Sequence, residues 1–246
     1  MPELEPISAE TWDLLSRPST ATLTTVLSKH GLWNTFITGA QPLAPQLRLL
    51  GQAFTLRYIP AREDLDATGE INNLTDAQRV AIEGIGPRDV LVIDARGDVR
   101  AGTMGAILAT RIKVRGGTGI VTDGAFRDSP EIAAVGIPAY ARAAHAATNK
   151  TIHHPADYQL PVGCGGVSVY PGDILVGDAE GVVVIPRHLA RIVAEQAAAQ
   201  EHREEFILRK IAGGASLVGT YPPNAETLAE YEAERQSGSR SGAAHQ

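Results

Sequence analysis

One stretch, residues 102–131, constrains the fold more than any other part of the chain. Its sequence is GTMGAILATRIKVRGGTGIVTDGAFRDSPE. Residues 106–115 predict a helix, which Gly116 and Gly117 end because glycine adopts the left-handed conformation at no steric cost. Residues 119–123 form a short β-branched run that predicts a buried strand. The order along the chain is therefore turn, helix, strand and charged loop.

This order places charged side chains within reach of a helix start. A helix that begins at Gly105 leaves its first backbone N–H groups unpaired, and such groups bind anions. Because the helix is short and the strand returns the chain to the same end, Arg127 and Asp128 can lie near that start. An arginine suits a carboxylate or an enolate, and an aspartate suits a hard divalent cation. Together these residues predict a site for a small metal-chelating oxo acid.

A second interpretation of the same charges needs no ligand. Arg127, Asp128 and Glu131 can form a surface cluster that caps the next helix, since charged residues are common on protein surfaces. The residue pattern alone leaves both interpretations open.

Three motifs together resemble a known family. Twenty-one residues separate Gly105 from Arg127-Asp128, and two more, Ser129 and Pro130, separate this pair from Glu131. The segments PRDVLVID at 87–94 and YPGDILVGDAEGVVVIP at 170–186 are the other two. They resemble the RraA-like family, which contains class II pyruvate-type aldolases for 4-hydroxy-4-methyl-2-oxoglutarate and proteins called regulators of ribonuclease activity. The resemblance covers roughly residues 19–190.

The resemblance implies a fold and an assembly. The expected fold is α/β: a single domain with a mixed sheet or partly closed β-barrel flanked by helices, like a swivelling phosphohistidine-domain αββα sandwich. We expect this domain at residues 1–234 and a disordered tail at 235–246, where the composition is rich in Ser and Gly. The family also implies homotrimers or hexamers with the site near a subunit boundary.

The resemblance further implies roles for individual residues. Arg127 would bind the oxo group of a 2-oxo acid and stabilise its enolate. Asp128 would bind Mg²⁺ or Mn²⁺ directly, and Glu131 would support the metal from further away. The substrate carboxylate is expected on the backbone amides at the helix start, those of Gly105, Ala106, Ile107 and Leu108.

Ala106 is a departure from the family pattern, which often has Glu or Asp at this position. The function we favour is a divalent-metal-dependent lyase that cleaves a 2-oxo acid to pyruvate, with oxaloacetate decarboxylation as a side activity. One alternative is a dehydratase or hydrolase on a sugar-derived oxo acid, which Ala106 makes more plausible. The other is a non-catalytic regulator that binds a ribonuclease.

Composition excludes several other classes of protein. The 246 residues carry a net charge of −6 without a dense Lys/Arg run, which disfavours a nucleic-acid surface. No apolar run is long enough to span a membrane, and no signal peptide is evident. With a single cysteine, Cys164, these features predict a cytoplasmic protein with a buried structural thiol.

Other titratable residues are weaker candidates for function. Adjacent histidines such as His153 and His154 point opposite ways on a strand, which argues against a metal site. Asp173 and Asp178 are expected to serve turns. A long helix from 186 or 187 to 212 carries three glutamates that either face solvent or, as the resemblance allows, assist a neighbouring subunit's metal: Glu201, Glu204 and Glu205.

Overall fold

The computed structural model describes residues 5–66 and 71–242, in which helices and short strands alternate. The helices are α1 (Ala9–Leu15), α2 (Thr20–Lys29), α3 (Ala77–Gly84), α4 (Ala106–Val114), α5 (Ser129–Val135), α6 (Ala190–Ala212) and α7 (Ala225–Gly242), with 3₁₀ turns at Asn149–Thr151 and Arg187–Leu189. The strands are β1 (Gln41–Pro42), β2 (Leu49–Pro60), β3 (Asp89–Asp94), β4 (Gly119–Thr122), β5 (Ala125–Phe126), β6 (Ala139–Ala141), β7 (Ala143–Ala144), β8 (His153–Tyr158), β9 (Val162–Cys164), β10 (Val167–Val169), β11 (Ile174–Gly177) and β12 (Val182–Ile185). The chain divides into two units, Met1–Glu195 and Gln196–Gln246.

A mixed sheet organises the first unit. Its strand order is β1-β6-β4-β3-β2-β11-β12, and β8 pairs with the far end of β2. Strands β2, β3, β4 and β6 run parallel, whereas β1, β8, β11 and β12 are antiparallel to their neighbours. The sheet curls into a half-barrel flanked by helices, which confirms the predicted α/β fold class.

The two faces of the sheet bury separate hydrophobic cores. Along β3, Leu91 and Ile93 belong to the core that also contains residues of α3, α4 and α5. Val90 and Val92 belong to the other core, together with residues of β9 to β12. This alternation follows from the two-residue period of a strand, and burial on both faces explains why β3 is apolar almost throughout.

Parallel pairing determines where the site can form. Strands β2, β3, β4 and β6 all end at one edge of the sheet. The turn at 102–105 follows the end of β3, and residues 125–128 follow the end of β4. The predicted site residues therefore meet at this edge.

Several local predictions are confirmed. The helix expected at 106–115 is Ala106–Val114, and the strand expected at 119–123 is Gly119–Thr122. Cys164 is fully buried, and its Sγ lies 3.7 Å from the carbonyl oxygen of Ile93. Burial raises the pKa of this thiol well above its usual range, as expected for a structural cysteine.

The second unit contains a helix that the sequence analysis does not predict. Within Gln196–Gln246, Tyr231 of α7 packs on Phe206 and Ile207 of α6. Helix α7 extends to Gly242, over residues expected to be a disordered tail, and residues 243–246 lie outside the described part of the chain. The domain boundary at 234 stays a prediction. None of the helices in the described residues combines the length and the apolar character needed to cross a membrane.

Asp178 links the start of α2 to the turn between β11 and β12. Its Oδ2 accepts a hydrogen bond from the backbone N–H of Thr20 at 2.8 Å, and its Oδ1 accepts from the Thr20 hydroxyl at 2.9 Å. Oδ1 also accepts from the N–H of Glu180 within the turn, which confirms the predicted turn role. Burial is the largest single influence and raises the pKa of Asp178, but the hydrogen bonds together lower it below its usual value.

We expect Asp178→Asn to destabilise the protein in a pH-dependent way. A carboxylate whose pKa is lower in the folded state stabilises that state above the unfolded pKa, and this contribution is lost as the pH falls through the folded pKa. The loss at pH 7 should be roughly 1 to 3 kcal/mol in the free energy of unfolding, which is typical of hydrogen bonds to a charged group.

Denaturant unfolding at pH 7 and at decreasing pH measures this effect. Asp13→Asn is the matched control, because the Asp13 carboxylate forms an exposed pair with Arg17. The prediction would be contradicted if the difference in free energy of unfolding between Asp178→Asn and wild type stayed the same at acidic pH.

Candidate active site

The start of helix α4 presents backbone donors. Gly105 is its N-cap residue and has no side chain that could accept a hydrogen bond from the first turn. The first N–H groups of a helix lack partners within the helix and carry its positive dipole end. These N–H groups can therefore bind an anionic group, either a carboxylate of the protein or one of a ligand.

Two glycines allow the segment at 127–128 to approach this helix start. A Cβ atom at Gly102 would lie 2.6 Å from the Cβ of Arg127, and one at Gly105 would lie 2.6 Å from Oδ2 of Asp128. Real Cβ atoms essentially never show such short separations. Glycine is therefore required for steric reasons at position 102, where the atoms met include the backbone of Arg127, whereas a Cβ at position 105 would displace the Asp128 carboxylate.

Arg127 and Asp128 lie side by side at the start of α4. Nε of Arg127 is 3.4 Å from Oδ1 of Asp128, and the backbone N–H of Ala106 donates to Oδ2 of Asp128 at 3.4 Å. Their side chains are 45% and 41% exposed, so both remain open to a ligand.

The backbone of Asp128 adopts a conformation that is rare for a residue with a side chain. Its φ angle of 57° is in the left-handed region, which costs about 1 to 2 kcal/mol. Asp128 is the N-cap residue of α5, yet its side chain makes no capping hydrogen bond there. The carboxylate is directed to the start of α4 instead, so it does not perform the helix-capping role of the second interpretation.

A pocket of about 470 Å³ opens at this point, a size in the range of small-molecule sites. Five of the predicted site residues line it: Gly105, Ile107, Leu108, Arg127 and Asp128. Gln78, Arg79 and residues 148–150 complete much of its wall. Ile107 is 85% exposed, so the rim of the pocket is partly apolar.

A buried hydrogen-bond network holds the turn that precedes α4. The Tyr58 hydroxyl donates to the carbonyl oxygen of Thr103 at 3.0 Å. The side-chain amide of Gln78 donates to the same carbonyl at 2.8 Å and to the Tyr58 oxygen at 2.6 Å. Burial raises the pKa of Tyr58, so the phenol stays protonated at neutral pH and keeps its donor. The sequence analysis missed this network, because no local pattern marks residues that are 20 to 45 positions apart.

Other predicted residues lie outside the pocket wall. Ala106 is partly buried beside it and contributes its N–H to Asp128. Glu131 is exposed in the first turn of α5. Glu201, Glu204 and Glu205 are on α6 in the second unit, where Gln200 donates to Glu204 at 2.9 Å. The metal role of Glu131 and the assisting role of the α6 glutamates stay predictions.

Comparison with known proteins places the chain among relatives of several kinds. A family model described as RraA-like, Aldolase/RraA, matches residues 20–184. A protein of Halalkalibacterium halodurans, provisionally named 4-hydroxy-4-methyl-2-oxoglutarate aldolase, is 35% identical over 162 residues, which are 66% of this chain and 75% of that protein.

Solved structures agree with this match. An uncharacterised protein from Pseudomonas syringae pv. tomato is 26% identical with a TM-score of 0.78, covering 89% of this chain and 96% of that one. Streptomyces coelicolor RraAS2, described as an unusual member of the RNase ES inhibitor RraA protein family, is 32% identical with a TM-score of 0.74, covering 83% and 98%. The chain therefore belongs to the RraA-like family.

Proposed function

We propose that this protein is a divalent-metal-dependent lyase that converts a 2-oxo acid to pyruvate through an enolate. One observation carries the proposal: the Arg127–Asp128 pair and the backbone N–H groups at the start of α4 converge in a single pocket. The family description and the name of the Halalkalibacterium relative support a lyase in general.

The pocket supplies the groups that such a reaction needs. The amides at the start of α4 bind the carboxylate next to the oxo group, and the guanidinium of Arg127 donates to the oxo oxygen. In an aldol cleavage of 4-hydroxy-4-methyl-2-oxoglutarate the C4 hydroxyl loses its proton to water, and C4 leaves as the oxo carbon of one pyruvate. The electron pair of the broken C3–C4 bond forms the enolate of a second pyruvate, which is then protonated at C3. Because charge develops on the oxo oxygen, a fixed donor such as Arg127 accelerates the step.

Oxaloacetate decarboxylation uses the same machinery. Its C3–C4 bond breaks, carbon dioxide leaves and the same enolate forms. Among the described residues of the pocket wall, Asp128 provides the only carboxylate, so water bound near it is the available proton carrier.

Asp128 suits Mg²⁺ or Mn²⁺. Mg²⁺ keeps several waters and typically takes one or two carboxylates together with substrate oxygens. In the described residues no cluster of three or more His, Cys, Asp or Glu side chains is placed to hold a metal, so the donor set is one carboxylate, water and substrate. A bound ion would supply Lewis-acid polarisation of the oxo oxygen.

The ligand, the oligomeric state and the cellular location of the protein are also part of the proposal. We propose a 2-oxo acid as the ligand and a homotrimer or hexamer as the assembly, with a cytoplasmic location. The exposed Ile107 at the pocket rim is consistent with a neighbouring subunit nearby. Light scattering on the purified protein measures the assembly.

Ribonuclease binding is a second candidate function. The likeness to RraAS2, at 32% identity over 83% of this chain, favours it.

The dehydratase or hydrolase alternative uses the same enolate site, and Ala106 favours it because a carboxylate common in the family is missing at that position.

The proposal predicts that Arg127→Ala and Asp128→Ala each lower kcat/KM for pyruvate release by about 100-fold or more, because each removes a group that stabilises the enolate. The assay measures pyruvate from 4-hydroxy-4-methyl-2-oxoglutarate and from oxaloacetate, with Mg²⁺, with Mn²⁺ and with EDTA. EDTA should abolish turnover.

Arg111→Ala is the control, since Arg111 pairs with Glu83 outside the pocket wall and its loss should leave turnover within about twofold of wild type. Metal-dependent turnover that survives Asp128→Ala would refute the proposed site. An inactive wild type that captures a ribonuclease stoichiometrically would favour the second candidate.

Gly105→Ala should lower kcat/KM by at least tenfold with little loss of stability. The new methyl group would lie 2.6 Å from Oδ2 of Asp128 and must displace that carboxylate, and small misplacements of reacting groups are costly in catalysis. Gly163→Ala is the matched control, because a Cβ there meets nothing within 4 Å. Kinetics and thermal unfolding of both variants check the prediction, and wild-type kinetics in Gly105→Ala would contradict it.

A further inference from the structure

Arg79 lines the same pocket as Arg127 and Asp128, but the proposed chemistry assigns it no role. Its backbone N–H donates to Oδ1 of Asp76 at 3.0 Å, which caps α3. Its side-chain Nε is buried and has no hydrogen-bond partner among the described residues. A buried donor without a partner is costly, and a charged one more so, which favours an anion at this place.

The position of Arg79 relative to the turn before α4 is fixed by its neighbour in sequence. Gln78 is buried and donates to the carbonyl oxygen of Thr103 and to the hydroxyl oxygen of Tyr58. These bonds join the first turn of α3 to the turn at 102–105. Arg79 is therefore held by the same network that holds the substrate-binding amides.

The charges in the pocket wall are unequal. Among its described residues, Arg79, Arg127 and Lys150 are positive, and Asp128 is negative. Nε of Arg127 lies 3.4 Å from Oδ1 of Asp128, so the negative charge of Asp128 is balanced by Arg127. This pair therefore does not balance the charge of Arg79. A pocket with excess positive charge binds dianions better than monoanions.

We infer that Arg79 binds a second carboxylate of the substrate, remote from the oxo group, and so selects 2-oxo dicarboxylates over 2-oxo monocarboxylates. The inference rests on the proposed function, which places the first carboxylate and the oxo group at α4 and Arg127. A guanidinium suits the role because it binds a carboxylate with two parallel hydrogen bonds.

Two substrates that differ only in the distal group test this specificity. The first is 4-hydroxy-4-methyl-2-oxoglutarate, and the second is 4-hydroxy-4-methyl-2-oxopentanoate, in which a methyl group replaces the distal carboxylate. Arg79→Gln should raise KM for the first by about 10- to 100-fold, as expected for a lost hydrogen bond to a charged group. It should leave kcat/KM for the second unchanged within twofold, and Arg79→Lys should restore part of the selectivity.

Binding without turnover provides an independent readout. Calorimetry with Mg²⁺ present compares oxalate, which is too short to reach beyond the Arg127 end, with 2-oxoglutarate, which has a distal carboxylate. Arg79→Gln should weaken 2-oxoglutarate binding by about 10- to 100-fold and leave oxalate binding unchanged. Arg111→Gln is the control, because it removes an equal charge outside the pocket wall and should change neither.

The outcomes separate the inference from the proposed function. If Arg79→Gln binds 2-oxoglutarate as tightly as wild type does, the inference is wrong and the proposed function is unaffected. If the variant loses equal affinity for 2-oxoglutarate and for oxalate, Arg79 has a structural role and the inference is again wrong. A wild type that binds neither acid overturns the inference together with the proposed function. Selective loss of 2-oxoglutarate in a protein without aldol turnover supports Arg79 and refutes the proposed lyase reaction.

Discussion

The close approach of two backbone segments at Gly102 and Gly105 is the constraint on which the site depends. The N–H of Thr103 donates to the carbonyl of Ala125 at 2.7 Å, and the N–H of Arg127 donates to the carbonyl of Met104 at 2.9 Å. A Cβ at Gly102 would lie 2.6 Å from the backbone nitrogen of Arg127 and would separate the segments, whereas a Cβ at Gly105 would meet the Asp128 carboxylate. The approach in turn depends on the parallel pairing of β3 and β4, which brings both segments to one edge of the sheet.

A polar network within the fold keeps this edge rigid. Tyr58 from β2 and Gln78 from α3 both reach the carbonyl of Thr103, so three elements converge on one buried oxygen. Satisfied buried networks specify a single arrangement of the groups around them. Asp128 has its left-handed backbone at the same edge of the sheet, and such a conformation persists only where the surrounding structure fixes it. Preorganisation of this kind is the main source of electrostatic stabilisation in enzymes.

Membership of the RraA-like family leaves the activity of an individual chain open, because relatives are named both for an aldolase and for ribonuclease inhibition. The feature that distinguishes these functions is the site and not the sheet, since one fold can support several functions. In this chain the Arg127–Asp128 pair, the start of α4 and a pocket of about 470 Å³ occur together.

Local signals in the sequence determined most of the secondary structure and part of the site. Caps such as Ser8 and Ser19, glycine stops and β-branched runs act between residues close in the chain, so their effects are predictable without the fold. The spacing from Gly105 to Arg127-Asp128 likewise indicated the site through its resemblance to a family. Helix α7 was missed because its packing through Tyr231 on α6 is not local.

Only the tertiary structure decided the remaining parts of the site. The fold brings Gln78 and Arg79 to the pocket wall and Tyr58 to the buried carbonyl of Thr103. It also directs the Asp128 carboxylate to α4 instead of α5. Such contacts depend on which strands pair and on which face each helix buries, and these are properties of the whole sheet. Sequence alone therefore indicated the Arg127–Asp128 pair, and the fold supplied the groups that surround it.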